Sequence, residues 1–479
     1  MSSLAHIPSS NIPLCVDLDG TLIRSDMLWE SFLFQIKRNP LFLFALPLWL
    51  LKGRAELKAK LAEDFEFDPS VLPYRQEVLE FAEREKKRGR KVILATASHQ
   101  KIAERVATHL KLFDEVLATT EESNLKGKHK AERLVSAFGK RGFAYIGDSS
   151  ADQSVWAEAG EVFVVGESEI AGKGAKEVPV YVLSSEAKIN PKELLRALRP
   201  HQWVKNILIF LPLVLAHELN RIDGLILAAL AFVAFSFCSS SVYVLNDLLD
   251  LESDRHHHSK RRRPFARGSL SISLGIVLVP VLLGLSGIFA WQVNQAFLAV
   301  LAGYLALTFF YSVRLKQVVL VDILTLAALY TIRIIAGGAA VAVVLSEWLL
   351  GFSLFFFLSL ACVKRYSELW SLRQAQKQEV KGRGYVSADL ELVGQLGASA
   401  GYLSVLIMAL YISSTEVSAL YRSPQILWML CPILLYWISR VWLLAHRGQL
   451  HEDPIVFAIR DGASYLTGAL AALVLFLAM

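Results

Sequence analysis

The chain has 479 residues, 54% of them hydrophobic and 20% charged, with a mean hydropathy of +0.42. That apolar excess excludes a wholly soluble protein, and it excludes disorder, which needs low hydrophobicity. Cys15, Cys238, Cys362 and Cys431 stand apart in apolar runs without a CxxC pair, which excludes a disulfide framework and a thiolate zinc site.

Up to about residue 195, apolar runs are short and separated by charges. The opening MSSLAHIPSSNIP has no basic region followed by an apolar core, so no secretory signal is expected there. Leu14-Cys15-Val16 reads as a buried strand running into Asp17-Leu18-Asp19-Gly20-Thr21. Further strands are predicted at Val92–Ala95, ending at Thr96, and at Phe143–Ile146, ending in Gly147-Asp148 with Asp152 following. Helical stretches over 75–88 and 128–138 give an α/β alternation and hence a parallel sheet. Carboxylates at strand C-termini converge where such sheets bind ligands.

Two carboxylates on one tight turn and a third from another strand suit Mg²⁺, which offsets their repulsion and bridges to a phosphate oxygen. A carboxylate so placed can attack phosphorus, while its neighbour protonates the leaving oxygen and then activates water. The ordered set DxDGT, Thr96, a downstream lysine and GDxxxD resembles the phosphoserine-phosphatase-like branch of the haloacid dehalogenase-like hydrolases, over about residues 12–170. That resemblance implies a Rossmann-like domain over 1–190 with a helical cap at about 22–90. It makes Asp17 the nucleophile and Asp19 the general acid/base. It has Mg²⁺ held by Asp17, the Asp19 carbonyl and Asp148, with Asp152 in support, and the phosphoryl group on Thr96. Asn124-Leu125-Lys126-Gly127 matches the family's Lys-Gly step and points to Lys126, with Lys128 and Lys130 as alternatives. Within the cap, Pro40–Leu51 is apolar for about twelve residues, too short to span a bilayer. It fits either a buried cap segment or a helix dipping into the membrane interface.

From about Trp203 the chain becomes a series of long apolar stretches, at 204–219, 223–245, 271–290, 296–312, 319–343, 347–363, 396–413, 424–444 and 462–478. Each approaches the ~20 residues of a spanning helix, so an all-α polytopic domain of about nine helices is expected over 191–479. Arginine and lysine crowd the loops after the second, fourth, sixth and eighth stretches. That bias puts those loops and the N-terminal half in the cytoplasm of an inner-membrane protein. The net charge of +6 then reflects topology and anionic ligands, and no nucleic-acid partner is expected.

The second stretch ends in Asn246-Asp247-Leu248-Leu249-Asp250-Leu251-Glu252-Ser253-Asp254, with Asn246, Asp250 and Asp254 spaced to share one helix face and Asp247 beside them. Carboxylates at a membrane helix end are costly to desolvate and acquire a purpose if Mg²⁺ bridges them to a diphosphate. Arg261, Arg262, Arg263 and Arg267 follow as phosphate partners. NDxxDxxxD followed by Arg-Pro resembles the first aspartate motif of the UbiA superfamily of membrane prenyltransferases. Tyr311 through Lys316 looks like that family's Tyr/Lys element, and Arg333 is an intramembrane cation that marks a site or pairs with Asp322 or helix-end carbonyls.

Most such enzymes carry a second acidic motif after the sixth span, where this chain has Val363-Lys364-Arg365-Tyr366-Ser367-Glu368. That departure, with RPHQWVKN (Arg199–Asn206) and EDPIVFAIRD (Glu452–Asp461), resembles the decaprenyl-phosphate phosphoribosyltransferase branch. The resemblance implies Mg²⁺-dependent transfer from phosphoribosyl diphosphate to a polyprenyl phosphate. Asn246, Asp250 and Asp254 are the expected metal ligands, and Lys205, Arg262, Arg263, Tyr311, Lys316, Arg333, Lys364, Arg365 and Glu368 line the substrate. The fused phosphatase would remove a phosphomonoester from the product. The alternative expectation is a conventional transferase moving a polyprenyl chain from its diphosphate to an aromatic or other acceptor, with a regulatory N-terminal domain.

Overall fold

Leu14, Cys15 and Val16 are all fully buried because strand β1 (Leu14–Val16) lies in the middle of a sheet covered on both faces. Its neighbours are β2 (Val92–His99) and β4 (Ala144–Gly147), with Val16 opposite both Leu94 and Ile146. Adding β3 (Glu115–Thr119), β5 (Glu161–Val165) and β6 (Val180–Ser184) gives six parallel strands in the order β3-β2-β1-β4-β5-β6. This computed structural model describes residues 11–166, 178–184, 190–376, 383–414, 417, 421–450 and 453–479; Glu452 of the EDPIVFAIRD stretch lies outside them. The described chain forms two compact units, Met1–Leu198 with Tyr243–Val279, and Arg199–Val242 with Pro280–Met479.

In the first unit the sheet is sandwiched by helices. Between β1 and β2 come α1 (Met27–Arg38), α2 (Leu46–Lys52), α3 (Arg54–Glu63) and α4 (Gln76–Lys87). They are followed by α5 (Gln100–Leu110), α6 (Lys128–Phe138), the single turn α7 (Gln153–Trp156) and α8 (Pro191–Leu198). The predicted helices over 75–88 and 128–138 are α4 and α6. Helix α4 buries Val78, Phe81 and Ala82 on the face carrying Val16, Leu94 and Phe163. On the other face α6 buries Ala131 and Leu134 against Cys15, Ile93 and Tyr145. Alternate residues of one strand thus serve two cores. Asp26 caps α1, its Oδ1 accepting from the backbone nitrogens of Leu28 and Trp29.

Arg90 locks the base of the sheet. Its guanidinium meets Glu85 at 2.9 Å and Glu161 at 2.8 Å, and its Nε donates to the Ile12 carbonyl at 2.6 Å. Arg90 and Glu85 are almost entirely buried. Arg90→Ala leaves Glu161 without this counter-ion and Glu85 with Arg88 alone, at 2.9 Å, and it is expected to cost about 3 kcal/mol of unfolding free energy in denaturant titration. A loss below about 1 kcal/mol would mean that water replaces the guanidinium freely.

The remaining helices are α9 (Leu211–Leu215), α10 (Ile222–Leu249), α11 (Leu251–His256), α12 (Ile272–Val293), α13 (Gln295–Val313), α14 (Val321–Val341), α15 (Glu347–Gln374), α16 (Leu390–Ile412), α17 (Leu430–His446), α18 (Pro454–Ala458) and α19 (Gly462–Ala478). Seven segments among the described residues are long and apolar enough to cross a membrane: α10, α12, α13, α14, α15, Ser387–Ile412 and Pro424–His446. The count of nine expected from sequence is not reached. The stretch 204–219 folds as tight helical turns over Pro200–Phe210 followed by α9, with Pro200 and Pro212 at the starts of the two pieces. The last stretch, α19, is apolar but shorter than the others. In the second unit the Pro200–Phe210 turns press on α14 at Gly337, where a Cβ would lie 2.2 Å from the Ile209 carbonyl oxygen.

Candidate functional site

The C-terminal edge of the sheet assembles one site. Asp17 follows β1 directly, and its backbone nitrogen donates to the Ile146 carbonyl at 3.1 Å. The register carries Thr96 on β2 and Gly147-Asp148 at the end of β4 to the same edge. Ligand oxygens of Asp17, Asp148 and Asp152 lie within 4.8 Å of one another. The turn that permits this needs Gly20, with φ +75°, because a Cβ there would sit 2.2 Å from Asp148 Oδ2. Thr21 Oγ1 donates to Asp148 Oδ1 at 3.1 Å. Asp152 is held from behind by the Tyr145 hydroxyl at 2.9 Å.

The electrostatics follow from this crowding. Burial raises Asp17, with the Lys130 ammonium pulling the other way. Burial, then repulsion from Asp17, pushes Asp148 up to about 7. Crowded carboxylates that resist ionisation fit a hard divalent cation, which Asp17 and Asp148 would hold directly. Asp19 is pushed up to about 8 by burial and then by Asp26, while Oδ1 accepts from the Met27 nitrogen at 2.8 Å and Oδ2 from Ser98 Oγ at 2.6 Å. A carboxyl held protonated near neutrality suits a general acid. The Thr96 hydroxyl is fully buried and accepts from the Ser98 nitrogen at 3.0 Å.

The lysine that meets Asp17 is Lys130 and not Lys126. Lys130 Nζ lies 3.0 Å from Asp17 Oδ2, 3.8 Å from Asp152 Oδ1 and 2.7 Å from the Tyr145 hydroxyl, and is almost fully buried, whereas Lys126 is exposed. Burial acts to lower its pKa, but Asp17 and Asp152 outweigh it and hold the ammonium charged. The physical reason is helical phase: Lys130 shares the inward face of α6 with Ala131 and Leu134. That spacing was the signal available in the sequence. Lys130→Ala is expected to lower phosphate-ester hydrolysis about 10²-fold or more, and Lys126→Ala to leave it within about twofold, in a p-nitrophenyl phosphate assay. Equal effects would overturn the assignment. Sequence reasoning also missed Ser98 and Lys58. Lys58, on α3, donates to the Ala97 carbonyl at 2.6 Å and to Asn124 Oδ1 at 2.8 Å, and burial pulls its pKa down to about 8.

The acidic stretch after α10 belongs to the first unit. Asp247 and Asp254, both 2% exposed, converge on one nitrogen of Arg263, at 3.0 and 2.6 Å. Burial raises Asp254, and Arg263 opposes the rise. The expected ladder of Asn246, Asp250 and Asp254 is not what converges. Helix α10 ends at Leu249, and Asp250 turns to Lys37 of α1, whose Nζ is 2.7 Å from its Oδ1 and 3.1 Å from the Leu249 carbonyl. Asn246 is half-buried at the helix end. Asp247 and Asp254 are donors of the kind a hard cation takes and would be the residues to hold one, with Arg263 supplying the positive charge between them in this structure. The loop is pinned by Arg255, which is buried and forms 2.7 and 2.9 Å bonds to Glu30 of α1 and a 3.0 Å bond to the Ala266 carbonyl. Arg262 is exposed.

The second unit holds a basic cluster. Lys205 and Lys364 Nζ share Asp453 Oδ2, at 2.8 and 3.2 Å, and the Tyr330 hydroxyl donates to both oxygens of Asp453. The two ammonium groups outweigh burial and hold Asp453 far below the usual carboxylate range. Two of the expected substrate cations are already committed elsewhere. Arg365 is fully buried on Asp322 at 2.5 Å and on Glu368, with Arg383 and the Tyr311 hydroxyl on the other Asp322 oxygen. Arg333 donates to Asn206 Oδ1 at 2.9 Å and to the Leu329 carbonyl, and lies over the rings of Phe235, Tyr304 and Tyr330. It takes an amide and a helix carbonyl rather than Asp322. Lys316 is half-buried on the turn Leu315–Gln317. An apolar cavity of about 430 Å³, lined by Val343, Leu349, Phe352, Tyr411 and Leu434, borders the start of α15. Leu349 and Lys364 are about 22 Å apart along that helix, so the cavity does not serve the basic cluster.

Residues 207–477 match the UbiA prenyltransferase family, and residues 14–155 match the haloacid dehalogenase-like hydrolases. The chain belongs to the UbiA prenyltransferase family; it is an integral multi-pass membrane transferase that also carries a haloacid dehalogenase-like domain. It is 38% identical over 475 residues to the uncharacterized protein y4nM of Sinorhizobium fredii, covering 98% of this chain and 91% of that one. Nodulation protein NoeC of Azorhizobium caulinodans is 37% identical over 283 residues, 58% of this chain and 90% of its own. A decaprenyl-phosphate phosphoribosyltransferase of Mycobacterium tuberculosis is 36% identical over 218 residues, 43% of this chain and 70% of its own.

Proposed function

We propose that the membrane half transfers phosphoribose from phosphoribosyl diphosphate to a polyprenyl phosphate, and that the α/β half, divided from it near residue 190, removes the 5-phosphate from the lipid-linked product. The observation that carries this is the pair of lysines on Asp453. By the UbiA resemblance Lys364 falls where a second acidic motif is expected, so the chain offers ammonium groups to a phosphate at that place. The relative named decaprenyl-phosphate phosphoribosyltransferase supports the same donor and acceptor classes.

In the transfer, an oxygen of the lipid phosphate attacks the anomeric carbon and the bond to diphosphate breaks. Asp247 and Asp254 would hold Mg²⁺, which when bound would supply charge neutralisation for the departing diphosphate. Lys205 and Lys364 exchange Asp453 for substrate phosphate oxygens, which orients the acceptor or the 5-phosphate. In the α/β half, Asp17 attacks phosphorus, Asp19 gives its proton to the leaving ribose oxygen, and Asp19 then takes a proton from the water that cleaves the aspartyl phosphate. Lys130 and Thr96 hold the phosphoryl oxygens. The excess of lysine and arginine in alternate loops supports a cytoplasmic face for both activities.

Membranes containing the chain, given Mg²⁺ and polyprenyl phosphate with radiolabelled phosphoribosyl diphosphate, are expected to move label into organic-extractable lipid. A parallel reaction with a polyprenyl diphosphate and an aromatic acceptor is expected to give no prenylated product. The reverse outcome establishes a conventional prenyltransferase and overturns the proposal.

A further inference from the structure

The turn Pro40–Phe44 and helix α2 form an apolar projection from the α/β half. Leu41 is 68%, Phe44 82% and Leu51 85% exposed, with Leu43, Leu48 and Leu50 also open, and α2 buries no residue at all. A surface of this kind on a folded domain marks a contact with something apolar. The projection is built to keep its shape: Phe42 is buried, edge-on to Phe32 and stacked on Trp49. It is flanked by Lys37, Arg38, Lys52 and Arg54, and no carboxylate occurs between Glu30 and Glu56. Lys37 and Arg38 are paired with Asp250 and Asp64, which leaves Lys52 and Arg54 as the cations beside the exposed apolar side chains, a combination that matches an anionic lipid surface.

The same unit shows why lipid is what covers it. Lys37 Nζ binds the carbonyl of Leu249 and the carboxylate of Asp250, at the end of the membrane-crossing helix α10. Pro40 is three residues further on, at most about 10 Å of chain away. On its other side the projection turns at Gly53, φ +115°, into α3. Lys58 of α3 reaches the carbonyl of Ala97, on β2 next to the Ser98 that binds Asp19, and Asn124 on the loop before α6. Leu51 and Lys58 are seven residues apart, so at most about 25 Å of chain separates them.

We propose that Pro40–Leu51 lies in the lipid–water interface and delivers the haloacid dehalogenase-like site to a phosphomonoester carried on a membrane lipid. The docking stands on the exposure, the charge and the Lys37 anchor; the choice of substrate class rests on the phosphatase activity proposed above.

The test uses the full chain in nanodiscs of phosphatidylcholine and phosphatidylglycerol. The four native cysteines are buried, so Phe44→Cys and, as a control on the α/β half, the exposed Lys140→Cys can each carry a polarity-sensitive fluorophore. Label at 44 is expected to be quenched by acyl-chain nitroxides and shielded from iodide, and label at 140 to show the reverse. Equal iodide quenching at both overturns the docking. Shielding of 44 from both quenchers also overturns it, in favour of a covering protein surface. Leu48→Asp combined with Leu51→Asp is expected to slow hydrolysis of vesicle-borne polyprenyl phosphoribose about tenfold while p-nitrophenyl phosphate hydrolysis stays within about twofold. An equal loss on both substrates, or none on the lipid, overturns delivery. Lipid quenching at 44, together with a wild-type chain that hydrolyses neither substrate, would leave the docking standing and sink the phosphatase activity instead.

Discussion

Asp17→Asn is expected to abolish phosphomonoester hydrolysis, by about 10⁴-fold or more, because the amide is a poor nucleophile toward phosphorus. The substitution keeps the side-chain volume and the acceptor for the Leu18 backbone nitrogen, which Asp17 Oδ1 binds at 2.8 Å. It also removes one of three crowded carboxylates, so the fold is expected to hold or gain slightly in stability, as thermal unfolding would show. The informative readout is the lipid product. Membranes carrying Asp17→Asn should accumulate lipid-linked phosphoribose, where wild type gives the ribose form, with the rate of transfer from phosphoribosyl diphosphate unchanged. An unchanged 5-dephosphorylated product would show that the two halves do not act in sequence.

Asp254→Asn is expected to lower transfer by about 10²–10³-fold while p-nitrophenyl phosphate hydrolysis is retained. Asp247 and Asp254 together balance Arg263 with one negative charge in excess, and both are sequestered from water. Removing one carboxylate leaves Arg263 and Asp247 as a neutral pair with little attraction for a divalent cation. The Mg²⁺ concentration giving half-maximal transfer should rise steeply, and chelation with EDTA should stop both reactions. Asp250→Asn is the comparison. Its carboxylate already faces Lys37, so a smaller loss is expected. Equal losses at 250 and 254 would restore the continuous ladder of Asn246, Asp250 and Asp254 as the binding set.

The sequence alone determined the α/β class, the order of the motifs and the polytopic helical half. Those features are local: a three-residue apolar strand ending in Asp17, helical periodicity in 75–88 and 128–138, and apolar runs near the length of a bilayer crossing. Only tertiary structure decided which charges meet. Lys130 over Lys126, Ser98 on Asp19, Arg263 between Asp247 and Asp254, and Lys205 with Lys364 on Asp453 are pairings that no helix or strand period links. The same holds for Arg333 and Arg365, whose buried guanidinium groups must find partners inside the fold before any substrate arrives. It holds for Pro40–Leu51 as well, since composition gives its apolarity but only packing leaves it uncovered. Periodicity fixes the face a side chain occupies, whereas neutralising a desolvated charge depends on what the rest of the chain brings to that face.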